Sequence, residues 1–210
     1  DIVAGFMPNI PETIIAMLAS SSIGAVWSSC SPDFGINGVL DRFTQIKPKI
    51  LFVADGYFYK GKKIKLSSKI DSIKKKLSSI EKIIYVSLIN SNDMVNCINW
   101  NDMNSELESF KFKQLSFSHP LYIMYSSGTT GKPKSIVHSS GGTLLQHLKE
   151  LVIHTDLKRE DKMFYFTTCG WMMWNWLISS LAVGSTVVLY DGNPFYPHND
   201  SLLEIADSID

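Results

Sequence analysis

Short apolar runs alternate with amphipathic stretches along the first half of the chain. The apolar runs predict strands at 2–7, 25–27, 50–54 and 83–86. Helices are predicted from Pro11, with Asn9 as the N-cap, from 38 to 43, and within the Lys- and Ser-rich stretch 60–77. The strands do not alternate in polarity, which is typical of parallel strands covered on both faces. This pattern predicts an α/β fold built from parallel βαβ units.

The second half repeats this alternation after a polar interruption. Residues 90–118 are rich in Asn, Ser and Asp, with one short helix predicted near 103–110. Strands are predicted at 121–125, 136–137, 163–167 and 186–190, and helices at 143–153, 171–181 and 201–210. We therefore predict a first α/β lobe over 1–89, a polar connection over 90–118 and a second lobe over 119–210.

Composition narrows the class of protein. The 210 residues are 45% hydrophobic and 19% charged, which is enough to form a core, and 20 basic residues balance 20 acidic ones. Zero net charge argues against nucleic acid as a partner, and no apolar run reaches the roughly 18 residues that span a membrane. The widely spaced Cys30, Cys97 and Cys169 indicate reduced thiols in a cytoplasmic protein.

The strongest chemical signal is the string from Tyr125 to Lys134, which combines glycines, hydroxyls and cations. Its candidate phosphate-binding residues are Ser126, Ser127, Gly128, Thr129, Thr130, Gly131, Lys132 and Lys134. Glycines let backbone N–H groups approach an anion, while hydroxyls donate to phosphate oxygens and lysines supply charge. A Walker A loop is excluded because only two residues separate the glycines and Pro133 follows Lys132. By composition alone, a surface turn remains the alternative.

The string resembles the phosphate-binding signature of the adenylate-forming superfamily, which includes acyl-CoA synthetases, luciferase and adenylation domains. The resemblance extends over essentially the whole chain through segments 11–32, 137–143, 146–150, 161–176 and 189–192. These details are similar to the acetoacetyl-CoA synthetase family, with the acetyl-CoA synthetases as the nearest relatives. The resemblance implies the parallel-sheet βαβ layers of that superfamily's large N-terminal domain, present here incompletely.

The resemblance implies a two-step ligation that uses ATP with Mg²⁺, acetoacetate and CoA. Thr129, Thr130 and Lys134 would contact the β- and γ-phosphates most directly, while the remaining loop residues shape the cradle. Gly170, Trp171, Met172 and Met173 would lie beside the acyl group and the CoA tunnel. Core packing is the alternative for this tryptophan-rich segment, and for Trp174 and Trp176 it is an equal one.

A weaker candidate site concerns the phosphates of CoA, and the histidines are not assigned to a site. Lys60 and Lys63 stand near the position where acetyl-CoA synthetases place arginines on the CoA phosphates, with a solvated charged face as the better-supported alternative. His138, His147 and His154 are interpreted as surface or internally satisfied histidines. Neither a nucleophilic triad nor a protein-held metal site is predicted.

The superfamily's later motifs for adenine, ribose, the hinge and the catalytic lysine are not found, and we expect the catalytic residues beyond Asp210. The chain starts at Asp1 rather than Met, so we expect it to be part of a longer polypeptide and inactive alone. The alternatives are a synthetase for acetate, propionate or 3-hydroxybutyrate, and a nucleotide-binding module without catalysis. A P-loop kinase is disfavoured by the glycine spacing.

Overall fold

The computed structural model describes residues 1–91, 93–103, 109–126 and 131–209. Eleven strands lie in these ranges: β1 (Ile2–Phe6), β2 (Val26–Cys30), β3 (Ile50–Ala54), β4 (Gly56–Tyr59), β5 (Lys62–Lys65), β6 (Lys82–Val86), β7 (Ile98–Asn99), β8 (Pro120–Ser126), β9 (Lys134–Ser139), β10 (Lys162–Phe164) and β11 (Thr186–Val188). The α-helices described are α1 (Pro11–Ser22), α2 (Ile36–Ile46), α3 (Ser67–Lys76), α4 (Ser140–Leu148), α5 (Met172–Ser179) and α6 (Ser201–Ser208). A π-helix over Lys149–His154 continues α4.

Seven of the strands form the central sheet, in the order β7-β6-β3-β1-β2-β8-β9. Every neighbouring pair is parallel except β8 and β9, which are antiparallel. This arrangement confirms the predicted α/β class. The sheet joins strands from both predicted lobes through the β2–β8 pair, and the division into lobes at 90–118 stays a prediction.

Both faces of the sheet are buried at β1 and β3, as the continuous apolar runs predict, whereas the edge strand β9 is mostly exposed. Alternate residues of β1 enter opposite cores, with Val3 on one face and Ala4 on the other. Helices α1 and α5 cover the first face, and α2 and α3 cover the second. The successive side chains of a strand point to opposite faces, so a run such as 50–54 must be apolar throughout.

A hairpin replaces the first part of the predicted helix over 60–77. Strands β4 and β5 pair antiparallel, and α3 starts only at Ser67. Between the strands, Lys60 and Gly61 have φ values of 47° and 72°. Two consecutive left-handed residues form the tight turn that suits the twist of a hairpin, and they are incompatible with a helix. The helix prediction was wrong for this part, because nothing in the Lys-rich pattern marks a turn at Lys60 and Gly61.

Asn9 does not cap α1, contrary to prediction. The N-cap is Ile10, and no side chain bonds to the first turn. The Asn9 backbone N–H instead donates to Asp191 Oδ1 at 3.0 Å, and its Oδ1 accepts from the Trp174 indole at 2.8 Å. Asn9 therefore connects the end of β1 to two segments more than 160 residues away.

Two predicted helices include residues outside the described ranges. The short helix predicted near 103–110 falls largely on residues 104–108, which lie outside them. The helix predicted over 201–210 is confirmed from Ser201 to Ser208 as α6, whereas Asp210 lies outside the described residues. The catalytic residues expected beyond Asp210 therefore stay a prediction, and no side chain of the described ranges is assigned that role.

Candidate functional site

The β8–β9 hairpin carries the candidate phosphate-binding loop at the carboxyl edge of the sheet. Ser126 at the end of β8 pairs with Lys134 at the start of β9, which confirms that the loop joins two strands. Ligands in open α/β sheets bind at the carboxyl ends of the parallel strands. Ser127, Gly128, Thr129 and Thr130 lie outside the described residues, so their contacts stay predictions.

Helix α2 contacts the part of this loop that precedes β9, at Lys132 and Pro133. Gln45 Nε2 donates to the Pro133 carbonyl at 2.7 Å and to the Asp41 carbonyl at 2.6 Å. Lys132 Nζ lies 3.5 Å from Asp41 Oδ1 in an exposed ion pair. Exposed pairs of this kind add little stability, so Lys132 is readily available to an anion.

The end of β8, where the loop begins, contacts the same helix through Tyr125. The Tyr125 hydroxyl donates to the Arg42 carbonyl at 3.3 Å, and the Arg42 guanidinium lies 5.5 Å from the centre of the Tyr125 ring. Burial raises the pKa of Tyr125, so its hydroxyl stays neutral and keeps its proton. Both ends of the loop are therefore anchored to α2, and the exposed Lys134 side chain has no bonded partner among the described residues.

The candidate acyl and CoA residues lie at the start of α5. A Cβ on Gly170 would lie 3.2 Å from the Phe34 ring, so this glycine allows α5 to approach the segment after β2. Trp171 is 65% exposed, and with Met173 it lines a cavity of about 280 Å³. Met172 lines a different cavity of about 420 Å³ beside β9 and α4. The structure thus divides Trp171, Met172 and Met173 between two cavities, and Gly170 lines neither of them.

The two flanking tryptophans illustrate the alternative of core packing. Trp174 is fully buried in the first core, which confirms the packing interpretation for this residue. Trp176 is half-buried and meets the Tyr165 ring edge to face, with 6.1 Å between the ring centroids.

The cavity beside β9 and α4 contains two histidines that the sequence did not assign to a site. His138 pairs across the strands with Tyr122, and the two ring centroids are 5.1 Å apart. His147 is 7% exposed, and its Nδ1 lies 2.8 Å from Ser179 Oγ. Burial lowers the pKa of both histidines, while the charge of Glu150 opposes part of this effect at His147. Both imidazoles are therefore neutral at physiological pH.

A narrow cleft of about 60 Å³ lies at the same edge of the sheet, between Asp33 and Asp191. Burial raises the pKa of Asp191, the Asn9 N–H lowers it in part, and the nearby Asp33 charge raises it further. The contact of Asp191 with Asn9 was not predicted, because no local pattern marks a residue that meets its partner across 182 positions.

The candidate CoA lysines lie in the β4–β5 hairpin near this cleft. Lys63 Nζ donates to the Ile89 carbonyl at 3.1 Å and lies 5.9 Å from the Phe58 ring, so its charge has internal partners. Lys60 is exposed at the hairpin turn. A contact of either lysine with CoA stays a prediction.

The cysteines are free thiols, and two of them are buried. Burial raises the pKa of Cys30 to about 12 and raises that of Cys169 well above its usual range, so both are unreactive small apolar groups. Across the described ranges, no group of three or more His, Cys, Asp or Glu side chains is arranged to hold a metal ion. None of the helices described there is both long and apolar enough to cross a membrane.

Comparison with known proteins gives a consistent result along the whole chain. A family model described as "AMP-binding enzyme" matches residues 1–208. The chain is 53% identical to the acetoacetyl-coenzyme A synthetase of Rhizobium meliloti over 98% of its length, and 46% identical to the acetoacetyl-CoA synthetase of Gallus gallus over 100%. It covers 32% and 33% of these relatives.

A solved structure shows the same architecture. The acetoacetyl-CoA synthetase from Streptomyces lividans superposes with a TM-score of 0.95 at 43% identity. The match covers 98% of this chain and 32% of the other. The chain therefore spans about a third of the length of the proteins that it matches.

Proposed function

Because this chain belongs to the AMP-binding enzyme family, we propose that it forms the phosphate-binding part of an ATP-dependent ligase that makes acetoacetyl-CoA. The observation that carries this proposal is 53% identity to a protein named acetoacetyl-coenzyme A synthetase over 98% of the chain. The anchored β8–β9 hairpin adds support, since it presents Lys132 and Lys134 at the edge where ligands bind.

The reaction proceeds in two steps. A carboxylate oxygen of acetoacetate attacks the α-phosphorus of ATP, and pyrophosphate leaves as the acyl-adenylate forms. The CoA thiol then loses its proton and attacks the acyl carbon, and AMP leaves with the electrons of the broken C–O bond. The main obstacle is repulsion between a carboxylate and a triphosphate, which fixed donors and cations reduce.

The loop residues have distinct roles in this scheme. Thr129, Thr130 and Lys134 contact the β- and γ-phosphates, and Lys132 moves from Asp41 to the same anion. Ser126, Ser127, Gly128 and Gly131 shape the cradle around the triphosphate. Mg²⁺ accompanies ATP and offsets part of the phosphate charge.

The acyl group and CoA lie on the other side of the reacting atoms. Gly170, Trp171, Met172 and Met173 border the acyl group and the pantetheine arm. The cavities lined by Trp171 and Met173 and by Met172 support this role. The cytoplasm remains the expected compartment.

The phosphate role is tested by Lys134→Ala in the full-length protein. We expect acetoacetate-dependent ATP–pyrophosphate exchange to fall about 100-fold, because one lost charged donor in a preorganised site has an effect of this order. Lys75→Ala, an exposed lysine on α3, is the matched control and should leave exchange unchanged. Unchanged exchange in Lys134→Ala would contradict the assigned role.

The substrate is tested by the same exchange assay with acetoacetate, acetate, propionate and 3-hydroxybutyrate. The highest kcat/KM is expected for acetoacetate. A higher value for another short acid would replace acetoacetate in the proposal, and no exchange with any acid would favour a nucleotide-binding module without catalysis.

A further inference from the structure

The cavity beside β9 and α4 is lined mainly by polar residues, with Val137 and Met172 as its apolar members. His138, Thr143, Gln146, His147, Glu150 and Met172 border it, and we call it the histidine pocket. Its volume of about 420 Å³ exceeds that of the cavity at Trp171. The pocket is large enough for a short carboxylic acid with a polar substituent.

The pocket and the candidate phosphate cation are related through β9. Lys134 and His138 lie four residues apart on this strand, so their side chains project from the same face. Their Cα atoms are ~13 Å apart along an extended strand. An acid in the histidine pocket could therefore direct its carboxylate towards a phosphate held near Lys134.

A serine behind His147 determines which hydrogen bond the imidazole offers to the pocket. Ser179 Oγ lies 2.8 Å from His147 Nδ1 and donates to the Asn175 carbonyl at 2.9 Å. Because the serine hydroxyl has only one hydrogen and donates it to the Asn175 carbonyl, its oxygen can only accept from His147. Nδ1 must then carry the imidazole proton, and Nε2 is an acceptor. If the hydroxyl turns to donate to Nδ1, the proton moves to Nε2, which becomes a donor.

The second nitrogen of His147 is available for a ligand. Nε2 has no hydrogen-bond partner among the described residues. It is not fully buried, since it is not among the buried polar atoms that lack a partner. The other ionisable neighbours are His138, which is also neutral, and Glu150, whose carboxylate accepts from the Gln146 amide. A neutral imidazole that can either donate or accept suits an uncharged oxygen, either a ketone or a hydroxyl.

We propose that His147, backed by Ser179, binds the oxygen on the third carbon of a short 3-oxo or 3-hydroxy acid in the histidine pocket. This inference rests on the proposed ligase function and names the residue that distinguishes such acids from unsubstituted ones. Met172 forms the apolar wall along the carbon chain.

The test compares two replacements that keep different parts of the imidazole in the full-length protein. In His147→Asn the amide lies near the position of Nδ1 and keeps the bond to Ser179, but nothing reaches the position of Nε2. In His147→Gln the amide reaches the position of Nε2 and can donate or accept. His154→Asn, the same change at an exposed histidine of the adjoining π-helix, is the control.

The readout is kcat/KM for ATP–pyrophosphate exchange with acetoacetate, 3-hydroxybutyrate and butyrate. His147→Asn should lower the preference for both oxygenated acids over butyrate about ten-fold, the effect expected for one lost hydrogen bond. His147→Gln should keep part of the preference, and His154→Asn should keep all of it.

Three results would overturn the inference. They are an unchanged preference in His147→Asn, equal losses for all three acids, and a wild-type protein that uses butyrate as well as acetoacetate. The absence of exchange with every acid in the wild type would instead reject the ligase function, and this inference with it.

Discussion

At the scale of residues, burial rather than sequence neighbours decides the chemistry of the ionisable groups. The folded protein lowers the pKa of His138 and His147 and raises that of Asp191, in each case mainly through loss of solvation. All three residues line cavities, and the two neutral imidazoles there can bond to an uncharged ligand. The environment therefore adjusts each group away from its behaviour in water.

Because the pKa values of His138 and His147 are lowered in the folded protein, we expect the protein to lose stability in acid. A group with a lowered folded pKa contributes stability above its unfolded pKa of about 6.5, and this contribution is lost as the pH falls through the folded value. We expect the melting temperature of the full-length protein to fall from pH 7.5 to pH 5.5. His147→Gln should reduce this fall while His154→Asn should not, and equal falls in wild type and His147→Gln would contradict the assignment.

At the scale of elements, turns and anchoring contacts determine where the candidate groups are presented. The β4–β5 hairpin exists because Lys60 and Gly61 adopt left-handed conformations. Its Tyr59 hydroxyl accepts from Asn193 Nδ2 at 3.0 Å, so the hairpin is attached to the segment after β11. Helix α2 is bonded in a comparable way to both ends of the candidate phosphate-binding loop, at Tyr125 and Pro133.

Gly61→Ala tests the hairpin turn. Its φ of 72° strains an alanine, and the added Cβ would also collide with the Tyr196 hydroxyl. We expect a loss of about 1–2 kcal/mol in the free energy of unfolding, measured by urea denaturation. Gly35→Ala is the control, because its φ is −64° and a Cβ there meets nothing within 4 Å. Equal stability of Gly61→Ala and wild type would argue against this turn.

At the scale of the whole molecule, one central sheet connects the first half of the chain to the hairpin that carries the candidate phosphate-binding loop. Strand β2 connects β1 to β8, and thus the first half of the chain to the phosphate-loop hairpin. Trp27 lies on this strand, is 1% exposed, and faces Phe52 with ring centroids 6.2 Å apart. The ring also fills the space beside Gly5, where a Cβ would approach it to 2.7 Å.

Trp27→Ala should therefore destabilise the fold by about 3–5 kcal/mol, because it leaves a large cavity in the core. Trp171→Ala removes an exposed tryptophan and should change stability by under about 0.5 kcal/mol while lowering exchange activity. Urea denaturation with the exchange assay measures both. Similar stability losses in the two variants would show that burial does not separate the roles of these tryptophans.

The sequence by itself determined the class of fold and predicted where a phosphate-binding loop would lie. Continuous apolar strands at 2–6 and 50–54 require a sheet covered on both faces, and the spacing of Gly128 and Gly131 with Pro133 excludes a Walker A loop. Both signals are local, because they depend on the order of neighbouring residues.

Only the tertiary structure decided which distant groups meet. The bonds of Asn9 with Asp191 and Trp174 and the pair of His147 with Ser179 join segments that are separate in sequence. Packing also separates the adjacent Met172 and Met173 into two cavities. The helical pattern of residues 60–77 also did not predict the hairpin at Lys60, because the left-handed backbone of Lys60 and Gly61 is incompatible with a helix. Side-chain direction and desolvation arise from packing, so no local pattern encodes them.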